Sequence, residues 1–88
     1  MAFKNSTDER FEEQIGGSKL SLIQFSASWC GPCKQLKPIV EKISEDMADK
    51  IDCYYHDIEQ NPNFPTKFSV RGVPTILLFK EKNYWQLK

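Results

Sequence analysis

Among the 88 residues there is no surplus of charge, because twelve lysine and arginine side chains balance twelve aspartate and glutamate side chains. A surface without net sign has nothing to steer it toward nucleic acid or an anionic membrane. Long hydrophobic runs are missing too. None approaches the roughly 20 apolar residues a membrane-spanning helix needs, and Met1 to Arg10 is too polar for a signal peptide. The expected location is the cytoplasm. Cysteine is scarce: three are an odd number and too few for a disulfide scaffold, which points to one working pair and one spare thiol. The four glycines form no phosphate-cradling loop, so no nicotinamide site is expected. Tyr54, Tyr55, Tyr84 and Trp85 have no basic residues interleaved with them, against a role in stacking nucleic-acid bases. Repeats and linker-like tracts are absent, so residues 1–88 read as one small domain. Chains this short bury only about 60% of their unfolded surface, leaving the core little margin.

What is present is concentrated in Trp29-Cys30-Gly31-Pro32-Cys33-Lys34. An apolar run, Leu20 to Phe25, precedes it and reads as a strand. Leu36, Ile39, Val40, Ile43 and Met47 follow it at helical spacing. Two cysteines at such a junction suit dithiol chemistry. The first meets the unpaired N–H groups and the positive end of the helix dipole, which favour a thiolate. The second lies one turn further on, within reach of a mixed disulfide formed by the first. Gly31 and Pro32 fit the tight approach, since proline in a first helical turn gives up no needed hydrogen bond. Cys30 is therefore expected to be the exposed attacking thiolate, with Lys34 and Lys37 adding positive charge. Cys33 is expected to be the shielded, resolving thiol. Trp29 is expected beside the site.

A competing reading is a zinc module, because Cys53-Tyr54-Tyr55-His56 completes a C-x2-C…C-x2-H pattern. Residues three apart on a strand point to opposite faces, so Cys53 and His56 would not converge on one ion. Cys53 then reads as a small core residue and His56 as structural or exposed, not as a ligand or base.

The remaining elements follow from pattern. Ser6 or Thr7 is expected to cap a short helix holding Phe11 and Ile15 on one face, stopped by Gly16-Gly17. Leu20 to Ser26 has apolar residues at both parities, as a strand covered on both faces requires. A second helix runs from Cys30 or Pro32 to about Met47, with a kink expected at Pro38. Ile51 to Ile58 is the next strand. Asn61-Pro62 opens a short helix carrying Phe64 and Phe68. Thr75 to Lys80 is a third strand, and Lys82 to Lys88 an antiparallel edge strand through Tyr84, Trp85 and Leu87. Strand–helix–strand alternation implies an α/β sandwich with a parallel pair joined by a crossover helix.

Phe25-Ser26-Ala27-Ser28-Trp29-Cys30-Gly31-Pro32-Cys33-Lys34 resembles the active-site segment of the thioredoxin family. Asp57-Ile58-Glu59-Gln60-Asn61-Pro62 and Val70-Arg71-Gly72-Val73-Pro74-Thr75 match the same family further on. The resemblance runs from about Phe11 to about Lys80. It implies a three-layer sandwich, a mixed central sheet with helices on both faces, and a Cys30–Cys33 pair that is itself the redox group, with no other cofactor. It implies protein disulfides as substrates and a flavin-dependent reductase as electron donor. Gly-Pro between the cysteines leans toward a reductant. Pro74 should follow a cis peptide bond and face the dithiol, with Gly72 and Val73 completing a surface where an extended substrate segment pairs as a strand.

Two departures from the family stand out. A buried aspartate of the active-site strand, which serves the resolving cysteine as proton acceptor, is replaced by Gln24, and its lysine companion by Tyr55. A glutamine does not titrate, and the two neutral groups are expected to hydrogen-bond each other. The similarity also ends early: Lys82 stands at the usual glycine of the final hairpin, and nothing after Lys88 supplies the family's last loop and helix. One sheet face is then expected to be uncovered, so that the domain is marginal, or another chain covers the face, or the sequence is a fragment; a dimer or strand exchange is the expectation. A non-catalytic interaction module on the same fold is the alternative function.

Overall fold

The structure, a computed structural model, describes residues 3–17, 19–70, 72–81 and 83–86, and for 84–86 the main chain alone. Five strands form one sheet: β1 (Phe3–Ser6), β2 (Leu20–Ser26), β3 (Ile51–Asp57), β4 (Thr75–Lys80) and β5 (Asn83–Gln86). Three helices, α1 (Phe11–Ile15), α2 (Gly31–Asp46) and α3 (Asn63–Lys67), complete it. Strand order is β1-β3-β2-β4-β5. The first two pairings are parallel and the last two antiparallel, so the sheet is mixed.

β2 lies in the middle, and all but its first residue are buried. That is what apolar residues at both parities call for. Its alternate side chains feed two cores. Ile23 and Phe25 join Tyr54, Leu77 and Phe79 beneath Phe11 and Ile15 of α1, with Phe64 of α3 and Phe68 at its end packed alongside. Leu22 joins Phe3 and Cys53 beneath Val40 of α2. The crossover from β2 through α2 to the parallel β3 is the expected one.

Several boundaries match the pattern reading and some do not. β2, β4 and the span of α2 agree with it, and α2 continues past Pro38 as one helix. Of its five apolar residues, Val40 is buried and Leu36 and Ile43 are half-buried against the sheet, whereas Ile39 and Met47 are exposed. The expected helix cap at Ser6 or Thr7 is a correction. Residues 3–6 form the edge strand β1, and α1 starts at Phe11 with no side-chain cap. Ser6 is withheld from capping because its hydroxyl bonds His56 across the sheet at 2.9 Å. Thr7 Oγ1 accepts the Arg10 N–H at 3.3 Å, closing a turn before the helix. The tail strand forms as β5, but Lys82 and Leu87, like Arg71 of the Val70–Thr75 motif, lie outside the described residues.

Candidate active site

Cys30 is the N-cap of α2, with extended backbone angles, and Pro32 stands in the first turn. Its sulfur accepts the backbone N–H of Cys33 at 3.1 Å, and its carbonyl accepts the N–H of Lys34 at 3.3 Å. An N-cap acceptor at this point satisfies one of the donors a helix start leaves open. Here that acceptor is a cysteine sulfur. With sixteen residues of helix behind it, the site favours negative charge on the sulfur.

Cys30 and Cys33 are joined as a disulfide. The expectation of an exposed Cys30 is corrected: it is 3% exposed and Cys33 0%. The cause is packing, since Ala27 lies with the pair and Ile58 and Val73 close over it. The first cysteine is still the less covered of the two. Trp29 is 67% exposed. Its indole N–H donates to Glu59 Oε2 at 3.0 Å, and the Ser28 hydroxyl donates to Glu59 Oε1 at 3.0 Å.

The peptide bond before Pro74 is cis, as the resemblance implied. Val73 packs against the two cysteines. Gly31 and Gly72 are exposed; a Cβ added at either would meet nothing within 4 Å. Within the chain neither glycine is sterically required. Lys34 is exposed, whereas the Lys37 ammonium sits 4.8 Å from the centre of the Tyr55 ring.

Gln24 is fully buried on the α2 side of β2, and its register partners are Tyr55 and Ile76. The expected hydrogen bond to Tyr55 does not form. Gln24 Nε2 donates to the carbonyl of Cys33 at 3.2 Å, because α2 passes directly over this strand. Its Oε1, and the hydroxyl of Ser26 two residues on, are buried without a partner among the described residues. Tyr55 turns instead to Phe3, edge to face at 5.9 Å.

The zinc pattern is undone by placement. Cys53 packs with Phe3, Leu22 and Val40 on the α2 side, whereas His56 packs against Phe11 and Phe25 on the other. Burial pushes the Cys53 thiol up to about 11, with Asp52 adding to the shift, so it stays protonated and inert near neutrality.

One group at the site, Glu59, is given no role by the sequence. Glu59 bonds residues 30 and 31 positions away in sequence, so no local spacing exposes it. The signal lies in the register: Ser26 pairs with Asp57, which sets the residues following each strand side by side. His56, expected to be structural or exposed, is buried with both ring nitrogens engaged.

Comparison with known proteins agrees with this geometry. The family model described as Thioredoxin matches residues 2–87. The chain is 44% identical over 77 residues to a thioredoxin of Rickettsia bellii, covering 86% of this chain and 73% of that one. It is 47% identical over 74 residues to a thioredoxin of Buchnera aphidicola, covering 83% and 68%. Among solved structures, that of Malassezia sympodialis thioredoxin (Mala s 13) superposes with a TM-score of 0.86 at 33% identity, covering 94% of this chain and 73% of the other.

Proposed function

The chain belongs to the thioredoxin family and is a thiol–disulfide oxidoreductase; from that premise we propose how its own residues divide the work. In the reduced protein the Cys30 thiolate attacks one sulfur of a substrate disulfide. A mixed disulfide forms and the first substrate thiolate leaves. Cys33, as thiolate, then attacks the Cys30 sulfur, closing the Cys30–Cys33 bond and releasing the second substrate thiolate. Two electrons pass to the substrate, and its two thiolates are protonated by the proton that Cys33 gives up and by one from solvent. A flavoprotein reductase returns two electrons to the pair, and the cytoplasm, where disulfides are kept reduced, is the matching compartment.

One observation carries this order of attack: the Cys30 sulfur, and not that of Cys33, receives the amide at the head of α2. Trp29, Gly31, Pro32 and Lys34 shape the rim. The main chain of Val73 beside cis-Pro74 is where an extended substrate segment pairs, and the open space over Gly72 lets its backbone come close. Gln24 holds the first turn of α2 through the Cys33 carbonyl but cannot accept a proton. Cys33 therefore loses its proton to water or to the departing thiolate.

The test uses insulin reduction driven by dithiothreitol. Cys30→Ser abolishes turnover, and Cys33→Ser accumulates a covalent adduct with substrate. A Cys33→Ser variant that turns over normally overturns the order of attack. An unsubstituted protein that leaves insulin intact shows instead a docking module built on the same fold. Gln24→Asp adds the missing base and speeds release of substrate near neutral pH; an unchanged release rate removes the role given to position 24.

A further inference from the structure

His56 is 0% exposed, yet every polar atom of its ring is used. Nε2 lies 2.9 Å from the Asn61 carbonyl and 3.5 Å from Asp8 Oδ1. A carbonyl and a carboxylate only accept, so Nε2 carries the hydrogen. Nδ1 lies 2.9 Å from the Ser6 hydroxyl, which both donates and accepts. A second proton therefore fits on Nδ1 once the hydroxyl turns round. The cavity tolerates either charge state without losing a hydrogen bond to the ring.

What His56 holds is the span that reaches the active site. Asn61 is fastened at three points: its N–H to the Asp57 carbonyl at 2.9 Å, its side-chain oxygen to the Asp8 N–H at 3.0 Å, and its carbonyl to His56. At the other end Asp57 Oδ1 takes the N–H groups of Glu59 and Gln60 at 2.8 and 3.3 Å. Between these anchors stands Glu59, the residue that bonds Ser28 and the exposed Trp29.

We propose that His56 is a proton-responsive positioning residue for the exchange reaction, acting through Asn61 and Glu59 on Trp29; this rests on Cys30–Cys33 being the reacting pair. A neutral ring divides its Nε2–H toward the Asn61 carbonyl. A cationic ring prefers the Asp8 carboxylate, since charge-assisted hydrogen bonds are stronger than neutral ones. Acid thus draws the imidazole from Asn61 toward Asp8 and slackens the Glu59 grip. The charged groups facing the ring are Asp8, from the segment after β1, and Asp57, on its own strand. β2 and α1 present phenyl rings, Phe25 at 5.1 Å and Phe11 at 5.4 Å between centroids. Burial outweighs both carboxylates and the Asn61 bond and lowers the ring's affinity for the second proton, placing the transition on the acid side of an ordinary histidine.

The experiment follows the indole N–H resonance of Trp29, assigned by its loss in Trp29→Phe, and the ring protons of His56 against pH in the oxidised protein. The expected result is one shared midpoint, below about 6.5, with no indole step at that midpoint in His56→Gln. Glutamine keeps a donor for Asn61 and does not titrate. Asp8→Asn shrinks the step while His56 still titrates. In insulin reduction, the rate of His56→Gln relative to the unsubstituted protein rises about fivefold across the midpoint, the factor that one ordinary hydrogen bond makes in an equilibrium. Separate midpoints for Trp29 and His56, or the same indole step in His56→Gln, overturn the proposal. If His56→Gln does not fold, the two midpoints of the unsubstituted chain decide. Failure of insulin reduction at every pH with the shared midpoint intact tells against the dithiol reading and not against His56.

Discussion

The two faces of the sheet are built to different standards. Toward α1 and α3, Phe11, Phe25, Ile23 and Phe79 are wholly buried, with Phe11 stacked on Phe64 at 4.4 Å and edge-on to Phe79 at 5.6 Å. Of the polar groups there, His56 has a partner at each nitrogen and Ser21 donates to the Gln14 carbonyl, whereas Gln14 Oε1 is buried without a partner among the described residues. Toward α2 the packing is looser. Leu36, Ile43, Ile76 and Leu78 are half-buried, Ile39 is 58% exposed, and two oxygens, of Gln24 and Ser26, are buried without a partner among the described residues, against the one of Gln14 toward α1. Each such oxygen costs about 1–3 kcal/mol. One face supplies stability. The other carries the dithiol and gives up some stability to do so, as functional sites commonly do.

That division can be broken most forcefully at Phe11, the ring shared by the most contacts on the tight face. Phe11→Ala costs about 3–5 kcal/mol, comparable with the entire stability of a small domain. The urea midpoint of the oxidised protein reads it. A loss below 1 kcal/mol would mean the two faces contribute alike. On the loose face, Gln24→Leu replaces the buried amide with an apolar side chain of similar size. It removes the stranded oxygen together with the bond to Cys33, and is expected to raise stability by about 1 kcal/mol. A large loss would show that the Cys33 bond outweighs the stranded oxygen.

A proton is a gentler probe of the tight face. Burial lowers the pKa of His56 in the folded chain, so the unfolded chain binds the proton more readily. The stability this group contributes is therefore full above about 6.5, its unfolded value, and is lost as pH falls through the lower, folded value. Urea midpoints measured against pH should show this loss in the unsubstituted chain and not in His56→Gln. Smallest of all is Ile39→Ser on the loose face, expected within about 0.5 kcal/mol of the unsubstituted chain. A loss several times larger would place Ile39 against a covering partner.

The tight face and the loose face were unequally legible in the sequence. β2 and β4 were plain because their apolar residues fill both parities, and α2 because Cys30 and Pro32 mark its start. The α2 side was read too generously: helical spacing groups Ile39 with Val40, but only the sheet's position decides which of them is covered. β1 was missed because Phe3 is its one large apolar residue, and Ser6 looked like a helix cap until its partner 50 residues away was known. The dithiol was legible because its chemistry is written in six consecutive residues. Glu59 and the His56 linkage were not, because they are made by strands that meet only in the fold. The family resemblance pairs Tyr55 with Gln24, as replacements of a lysine and an aspartate; the register sets the two side by side, but the amide bonds an acceptor in the helix above.

β2 runs through the centre of the sheet, flanked by β3 and β4 and roofed on either side. Local opening starts where a strand has one neighbour, so fraying consumes β1 or β5 well before it reaches β2. The two sulfurs stand at the head of α2, the helix that follows this strand. A molecule worn at its margins, by warmth or by a protease, keeps its power to exchange electrons until the whole domain gives way.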